Sequence, residues 1–128
     1  MSFKAKFKAA GIERTILAVD FGMLQQTDPT GRPSSIARGG KIHLTVEGTG
    51  ATDLFEWMTN SFERKDGTVT FVKRDSNATL KELKFKEAYI VKYTEDFDST
   101  GENPLTETFV LSAKEIEMGN ASHRNEWV

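Results

Sequence analysis

There is no cysteine among the 128 residues of this chain. Disulfide staples, thiolate nucleophiles and sulfur-ligated metals are thereby excluded. Long apolar runs are missing as well, and nothing approaches the roughly 20 residues that a membrane-spanning helix needs. The opening MSFKAKFKAAGIERTI has no apolar core of signal-peptide length, so exit from the cell by a cleaved signal is not expected. Seventeen Lys and Arg nearly balance nineteen Asp and Glu, for a net charge of −2. Such a balance gives no global basic footprint for nucleic acid and no field that gathers anions. Catalytic signatures are absent too: there is no phosphate-cradling glycine loop, no HExxH and no GxSxG. His43 and His123 lack any triad context. No cofactor, resident metal or membrane insertion is therefore expected, and the residues favour a binding or structural module over an enzyme.

What is present is a chain of single-domain length, 1–128, able to bury a real core. Its most unusual stretch is the arm 25–40, QQTDPTGRPSSIARGG. Pro29 and Pro33 bar it from a central strand, and no helical or alternating period fits it. Sixteen residues without secondary structure are long against the usual connection of about 4–6. The prolines stiffen it, and Arg32 and Arg38 oppose only Asp28. A stiff polar arm on a small domain points to docking on another protein; a mobile loop without a partner is the alternative.

The remainder reads mostly as strand. Phe3, Ala5, Phe7 and Ala9 alternate with Lys4, Lys6 and Lys8, a half-buried strand whose lysines suit a solubilising edge. Ile12–Met23 carries apolar residues at both parities, which predicts cover on both faces. Lys41–Glu47 points Ile42, Leu44 and Val46 one way and leaves His43 exposed. The longest strand, Leu80–Phe97, keeps Leu83, Phe85, Tyr89, Val91, Tyr93 and Phe97 on one parity, while Ala88 and Ile90 indicate a bulge. Leu105–Met118 returns with a phase change between Leu111 and Ile116.

One helix is expected, at about 53–63, with Asp53 and Glu56 as a capping box and Thr52 as the competing cap. Leu54, Met58 and Phe62 form its stripe, with Phe55 beside it. Trp57 falls off the stripe and is expected either against a neighbouring subunit or flat on its own sheet. Asp66-Gly67 turns the chain into the strand Thr68–Arg74. In the polar tail Gly119–Val128, Trp127 is expected to dock on this subunit or another. Long bent strands with one helix predict a mainly β fold, a small barrel of two packed antiparallel sheets flanked by an α-helix.

Two motifs compete for a function. Asp96, Asp98, Thr100, Gly101 and Glu107 fall at calcium-loop positions 1, 3, 5, 6 and 12, although strands flank them and Pro104 intrudes. A polar hairpin turn explains the same letters. Asp98-Ser99-Thr100-Gly101 approximates the Asp-Thr-Gly of aspartic proteases, with one residue inserted and no second carboxylate motif. Phe71, Lys73, Arg74, Phe85, Lys86, Tyr89 and Lys92 would serve a single-stranded nucleic-acid binder if they shared an exposed face. A monomeric β-barrel binding calcium, a small ligand or single-stranded nucleic acid is the alternative function.

Four blocks in order resemble one known family. They are TDPTGRPSSIARGGKIHLTVEG, LFEWMTNSFERKDGTVTFVKRDS, LKELKFKEAYIVKYTEDFDSTGENPLTETFVLSAK and NEWV. Together they resemble the Hcp (TssD) tube proteins of type VI secretion systems, in particular those of Bacteroidota, from Phe3 to Val128. The resemblance implies a small β-barrel with one flanking helix that closes into hexameric rings and stacks into a hollow tube. It further implies sheath, spike and baseplate partners, effector proteins in the lumen, no nucleic acid, and an architecture shared with phage tail tubes. Such a tube assembles in the cytoplasm and is expelled outside the cell or into target cells without a signal peptide. On that basis the arm residues Thr27, Asp28, Thr30, Arg32, Ser34 and Arg38 are the candidates for ring stacking. Phe55 and Trp57 are the candidates for burial within a ring.

Overall fold

A computed structural model of the chain describes residues 3–125. The elements are β1 (Phe3–Ala9), β2 (Ile12–Phe21), β3 (Lys41–Glu47), α1 (Asp53–Thr59), β4 (Lys65–Lys73), β5 (Thr79–Phe97), β6 (Leu105–Met118) and β7 (Ala121–Arg124). All strand pairs are antiparallel and run β3-β2-β1-β4-β5-β6-β7; an additional β3–β6 pairing closes β1–β6 into a barrel. The barrel wall is thus one continuous sheet. The β7 strand extends the β6 edge past the point where β3 leaves it, with Ala113 N–H donating to the Gly40 carbonyl at the junction.

Alternation fills the interior. Phe7, Ile42, Leu44, Val46, Val69, Leu83, Phe85, Phe109 and Leu111 are all at most 1% exposed. Phe7 stacks on Phe85 and meets Phe109 edge-on at centroid distances of 5.8 and 5.3 Å. Each such ring, fully buried, contributes about 1.5–3 kcal/mol. Gly67 lets β1 and β4 approach: a Cβ there would lie 2.2 Å from the Lys8 carbonyl oxygen and 2.5 Å from the Phe85 ring.

Several expectations are corrected. The β1 strand is not an edge, because β2 and β4 flank it; its lysines form part of the outer wall. A register shift between Ile16 and Ala18 explains the two apolar parities of β2: the inward face changes from Ile12, Arg14 and Ile16 to Val19 and Phe21, and Leu17 is left 40% exposed. Asp66-Gly67 lies inside β4 rather than before it, opposite a shift at which Glu87 adopts φ 50° and donates its N–H to the Asp66 carboxylate. The inward parity of β5 passes from Leu83 and Phe85 to Ala88 and Ile90, as the expected bulge requires, and shifts again before Tyr93.

The helix ends at Thr59, four residues short of expectation. Asn60 leaves helical geometry at φ −97°, ψ 88°, and the indole N–H of Trp57 donates to the Glu63 carbonyl, folding the following segment back. Phe62 consequently leaves the stripe and is 84% exposed. The cap is Thr52, whose hydroxyl donates to Glu56 Oε2 at 2.6 Å, while the Asp53 carboxylate turns to Arg14 instead. The expected docking of Trp127 falls outside the described residues.

Candidate functional site

The predicted interface residues separate into two groups at opposite mouths of the barrel. The arm springs from the mouth formed by the end of β2 and the start of β3. The helix closes the other mouth, beside the β1–β2 turn and the segment from Glu63 to Lys65.

The arm is not structureless. Leu24 and Arg38 exchange backbone hydrogen bonds of 2.8 and 2.7 Å, and Thr27 bridges Pro33, so it is a narrow hairpin. Its tip is tied by Asp28, whose Oδ1 accepts from Thr30 N–H, the Thr30 hydroxyl and Arg32 N–H at 2.9, 2.6 and 3.1 Å. Those bonds favour the ionised carboxylate. The Thr30 hydroxyl contributes most, followed by the Arg32 amide, and the Asp28 pKa lies below its ordinary 3.8. Ser34 donates its N–H to the Gln26 carbonyl on the opposite limb. Thr27, Thr30, Arg32, Ser34 and Arg38 are all exposed. Among the described residues, neither the Arg32 nor the Arg38 guanidinium has an ion-pair partner. Leu24 and Ile36, 68% and 73% exposed, add apolar surface to the arm and its base.

At the helix, Phe55 and Trp57 part company. Phe55 is 54% exposed and meets Tyr93 edge-on at 6.0 Å, on a surface open to a neighbour. Trp57 is 1% exposed, packed in its own barrel beside Leu54 with Lys65 over its ring. It is a core residue, and an exposed patch built on it is ruled out. The choice left open for Trp57 falls to its own sheet.

Sequence reading missed what anchors the helix. Arg14 points into the barrel, its side chain 3% exposed, and donates through Nη1 and Nη2 to Asp53 and through Nε to Glu107 Oε1 at 3.5 Å. The Tyr93 hydroxyl donates to Glu107 Oε2 at 2.6 Å and lies 3.1 Å from Glu95. Burial and then the Glu107 carboxylate raise the Tyr93 pKa well above its ordinary 10.0. The signal was available: Arg14 and Glu107 occupy inward parities, between Ile12 and Ile16 and before Phe109 and Leu111.

The same contacts remove the calcium loop, because Glu107 is committed to Arg14 and Tyr93. Asp98 Oδ1 accepts from the Thr100 N–H and hydroxyl, an ordinary polar turn, and its pKa is lowered chiefly by that hydroxyl. Among the described residues no group of three His, Cys, Asp or Glu is placed to hold a metal. The aromatic nucleic-acid face also dissolves: Phe85 is in the core, and Phe71 and Tyr89 are half-buried beneath Lys81 and Arg64.

A small closed barrel with a helix over one mouth and an exposed, hydrogen-bonded hairpin at the other places the chain in the class of small β-barrel structural proteins. The chain belongs to the Hemolysin coregulated protein Hcp (TssD) family, whose pattern matches residues 1–128, and it is a structural tube protein of that kind. It is similar to Hcp1 from Flavobacterium johnsoniae, at 58% identity and a TM-score of 0.91 over 95% of this chain and 99% of that one. Hcp1 from Salmonella typhimurium shares the fold at 12% identity, with a TM-score of 0.79 over 97% of this chain and 95% of that one. The fold also recurs in a sheath-tube complex of an extracellular contractile injection system named PVC. There the identity is 19% and the TM-score 0.61, over 91% of this chain and 88% of that one. No curated protein sequence matches the chain.

Proposed function

We infer that the chain, acting as one barrel unit over 1–128, closes into rings of six that stack as the inner tube of a type VI secretion system. The observation that carries this reading is the arm, a hairpin stitched by its own hydrogen bonds that exposes Arg32 and Arg38, whose guanidinium groups have no ion-pair partner among the described residues. A head-to-tail contact repeated with a closing rotation generates a ring, and an arm along the tube axis registers one ring on the next. Phe55 is the apolar contact within a ring; Thr27, Asp28, Thr30, Arg32, Ser34 and Arg38 form the stacking contact. The occurrence of this fold in a sheath-tube complex is in keeping with a sheath partner; spike and baseplate partners and effectors in the lumen are part of the same proposal. The tube assembles in the cytoplasm and leaves with the machine. It acts by assembly, with no chemical step.

Solution mass with negative-stain imaging tests this reading. Six chains of 14.3 kDa give about 86 kDa with ring-shaped particles; a persistent monomer at high concentration refutes the ring. Arg32→Glu is expected to leave the melting temperature within about 2 °C of wild type, since exposed substitutions change stability little. The same variant should lower the yield of stacked rings several-fold. An unchanged yield removes the arm from the stacking contact.

A further inference from the structure

The two mouths of the barrel differ in charge. From His43 to Glu63, through the end of β3 and the helix, the chain has no Lys or Arg, and from Tyr93 to Ala113, around the β5–β6 hairpin, it has none either. The carboxylates of these stretches gather at the helix-side mouth, where Glu47, Glu56, Glu95, Asp96, Asp98 and Glu102 are exposed. At the arm-side mouth the sign reverses. Arg32, Arg38 and Lys41 fall within the stretch 21–41, whose sole carboxylate, Asp28, is taken by its own turn.

Glu95 differs from its acidic neighbours in what it faces. The Tyr93 hydroxyl stands between Glu107 and Glu95, 2.6 Å from the first and 3.1 Å from the second, and has one proton for two carboxylates. Glu107, buried and closer, takes it. Glu95 is left exposed against an oxygen with no proton to give, and among the described residues no cation pairs with it. Phe97 follows two residues on, at the same strand parity, and is 73% exposed. The arm carries the matching pair. Arg32 sits at its tip turn without an ion-pair partner, and Ile36 on the returning limb is exposed.

We propose that the arm of a second copy docks on this rim of the helix-side mouth, with the Arg32 guanidinium on the Glu95 carboxylate and Ile36 against Phe97. This docking rests on the stacking role proposed above for the arm and adds the surface that receives it. A guanidinium fork fits a carboxylate in two parallel hydrogen bonds and brings the donors that Glu95 lacks. Donor and acceptor lie at opposite mouths of one barrel, so the contact repeats in a single direction. Arm against arm would oppose Arg32, Arg38 and Lys41 to their own copies, and helix side against helix side would oppose carboxylates. Both inverted stackings are disfavoured by like charge. The acceptor is on the wet rim, apart from the buried pairs of Arg14, and can be occupied without disturbing them.

The absence of native cysteine makes the contact readable by cross-linking. An Ile36→Cys, Phe97→Cys double variant keeps the ion pair and changes two exposed positions. Oxidised at high concentration and run denatured without reductant, it is expected to give a ladder of linked chains running past six, because each copy offers both ends of the contact. A ladder that stops at six places the contact within a ring and overturns the proposal, as does a double variant that stays single. A two-chain band from Ile36→Cys alone puts arm on arm and overturns it too. Charge exchange reads the ion pair: Arg32→Glu and Glu95→Arg should each lower the yield of stacked rings several-fold, and the two combined in one chain should restore most of it. A combination no better than the single variants refutes the pairing. Solution mass keeps the two readings apart. Wild-type chains that never reach the six-chain mass refute the ring, whatever the ladder shows, and a six-chain mass without the ladder refutes this docking alone.

Discussion

At the helix-side mouth, Trp57, Leu54 and the Arg14 ion pairs pack the barrel end, and among the described residues no buried side-chain polar atom lacks a hydrogen-bond partner. At the arm-side mouth, Phe21, Met23 and Met118 border open space, and the chain leaves the barrel to build a hairpin over solvent. The first mouth concentrates buried contacts that only one arrangement of side chains satisfies. The second concentrates exposed contacts and tight turns. A subunit that must both fold alone and present itself to copies of itself gains from keeping those demands apart. On the proposed reading, stability resides where Arg14 is and ring-to-ring recognition where Arg32 is.

The division is broken most directly by substitution at the helix side. Trp57→Ala should cost about 3–5 kcal/mol by the cavity it leaves. Arg14→Ala should cost a similar amount, about 3–5 kcal/mol, because Glu107 would remain buried without its cation. In denaturant titrations Met118→Ala at the arm side should lose less than half of either. Equal losses at both mouths would erase the distinction. Tyr93→Phe is the finer probe: it removes one hydrogen bond to Glu107 and should cost about 1 kcal/mol, leaving the Phe55 contact in place.

The smallest effect belongs to the arm and is read by pH. Because the folded pKa of Asp28 is depressed, its contribution is fully present above the ordinary value of 3.8 and is lost as pH falls through the depressed value. Faster amide exchange at Thr30 and Arg32 in that acidic window, with the core amides unchanged, is the expected signature. Loosening of the core in the same step would show that the two mouths are coupled.

Much of the barrel was legible because alternation survives wherever one face is wet. The bounds of β1 and β3 coincide with their parity, and the doubled parity of β5 announced its bulges. The polar turn at Asp98 was legible as well. The reading failed where a polar side chain does an apolar residue's job. Arg14 and Glu107 break the pattern of their strands, and only the fold brings the two together across the barrel. The helix end was misplaced because helical periodicity runs on through Phe62, whereas a hydrogen bond from the Trp57 indole to Glu63 redirects the chain. The β7 strand was missed because Ala121–Arg124 has no alternation of its own and is held by the free edge of β6. The arm was seen as exceptional but not as a hairpin, since its two bridges are isolated and Pro29 and Pro33 interrupt any alternation between them.

The ordered arm carries a kinetic consequence for the proposed tube. A loop that acquired its shape only on contact would make each incoming subunit wait for a search through backbone conformations, and growth would slow as the segment lengthened. With the turn at Asp28 already closed and the limbs already bridged, addition is an encounter between near-rigid bodies. Elongation would then be governed by diffusion and by the long-range pull of Arg32 and Arg38, and raised ionic strength should slow it.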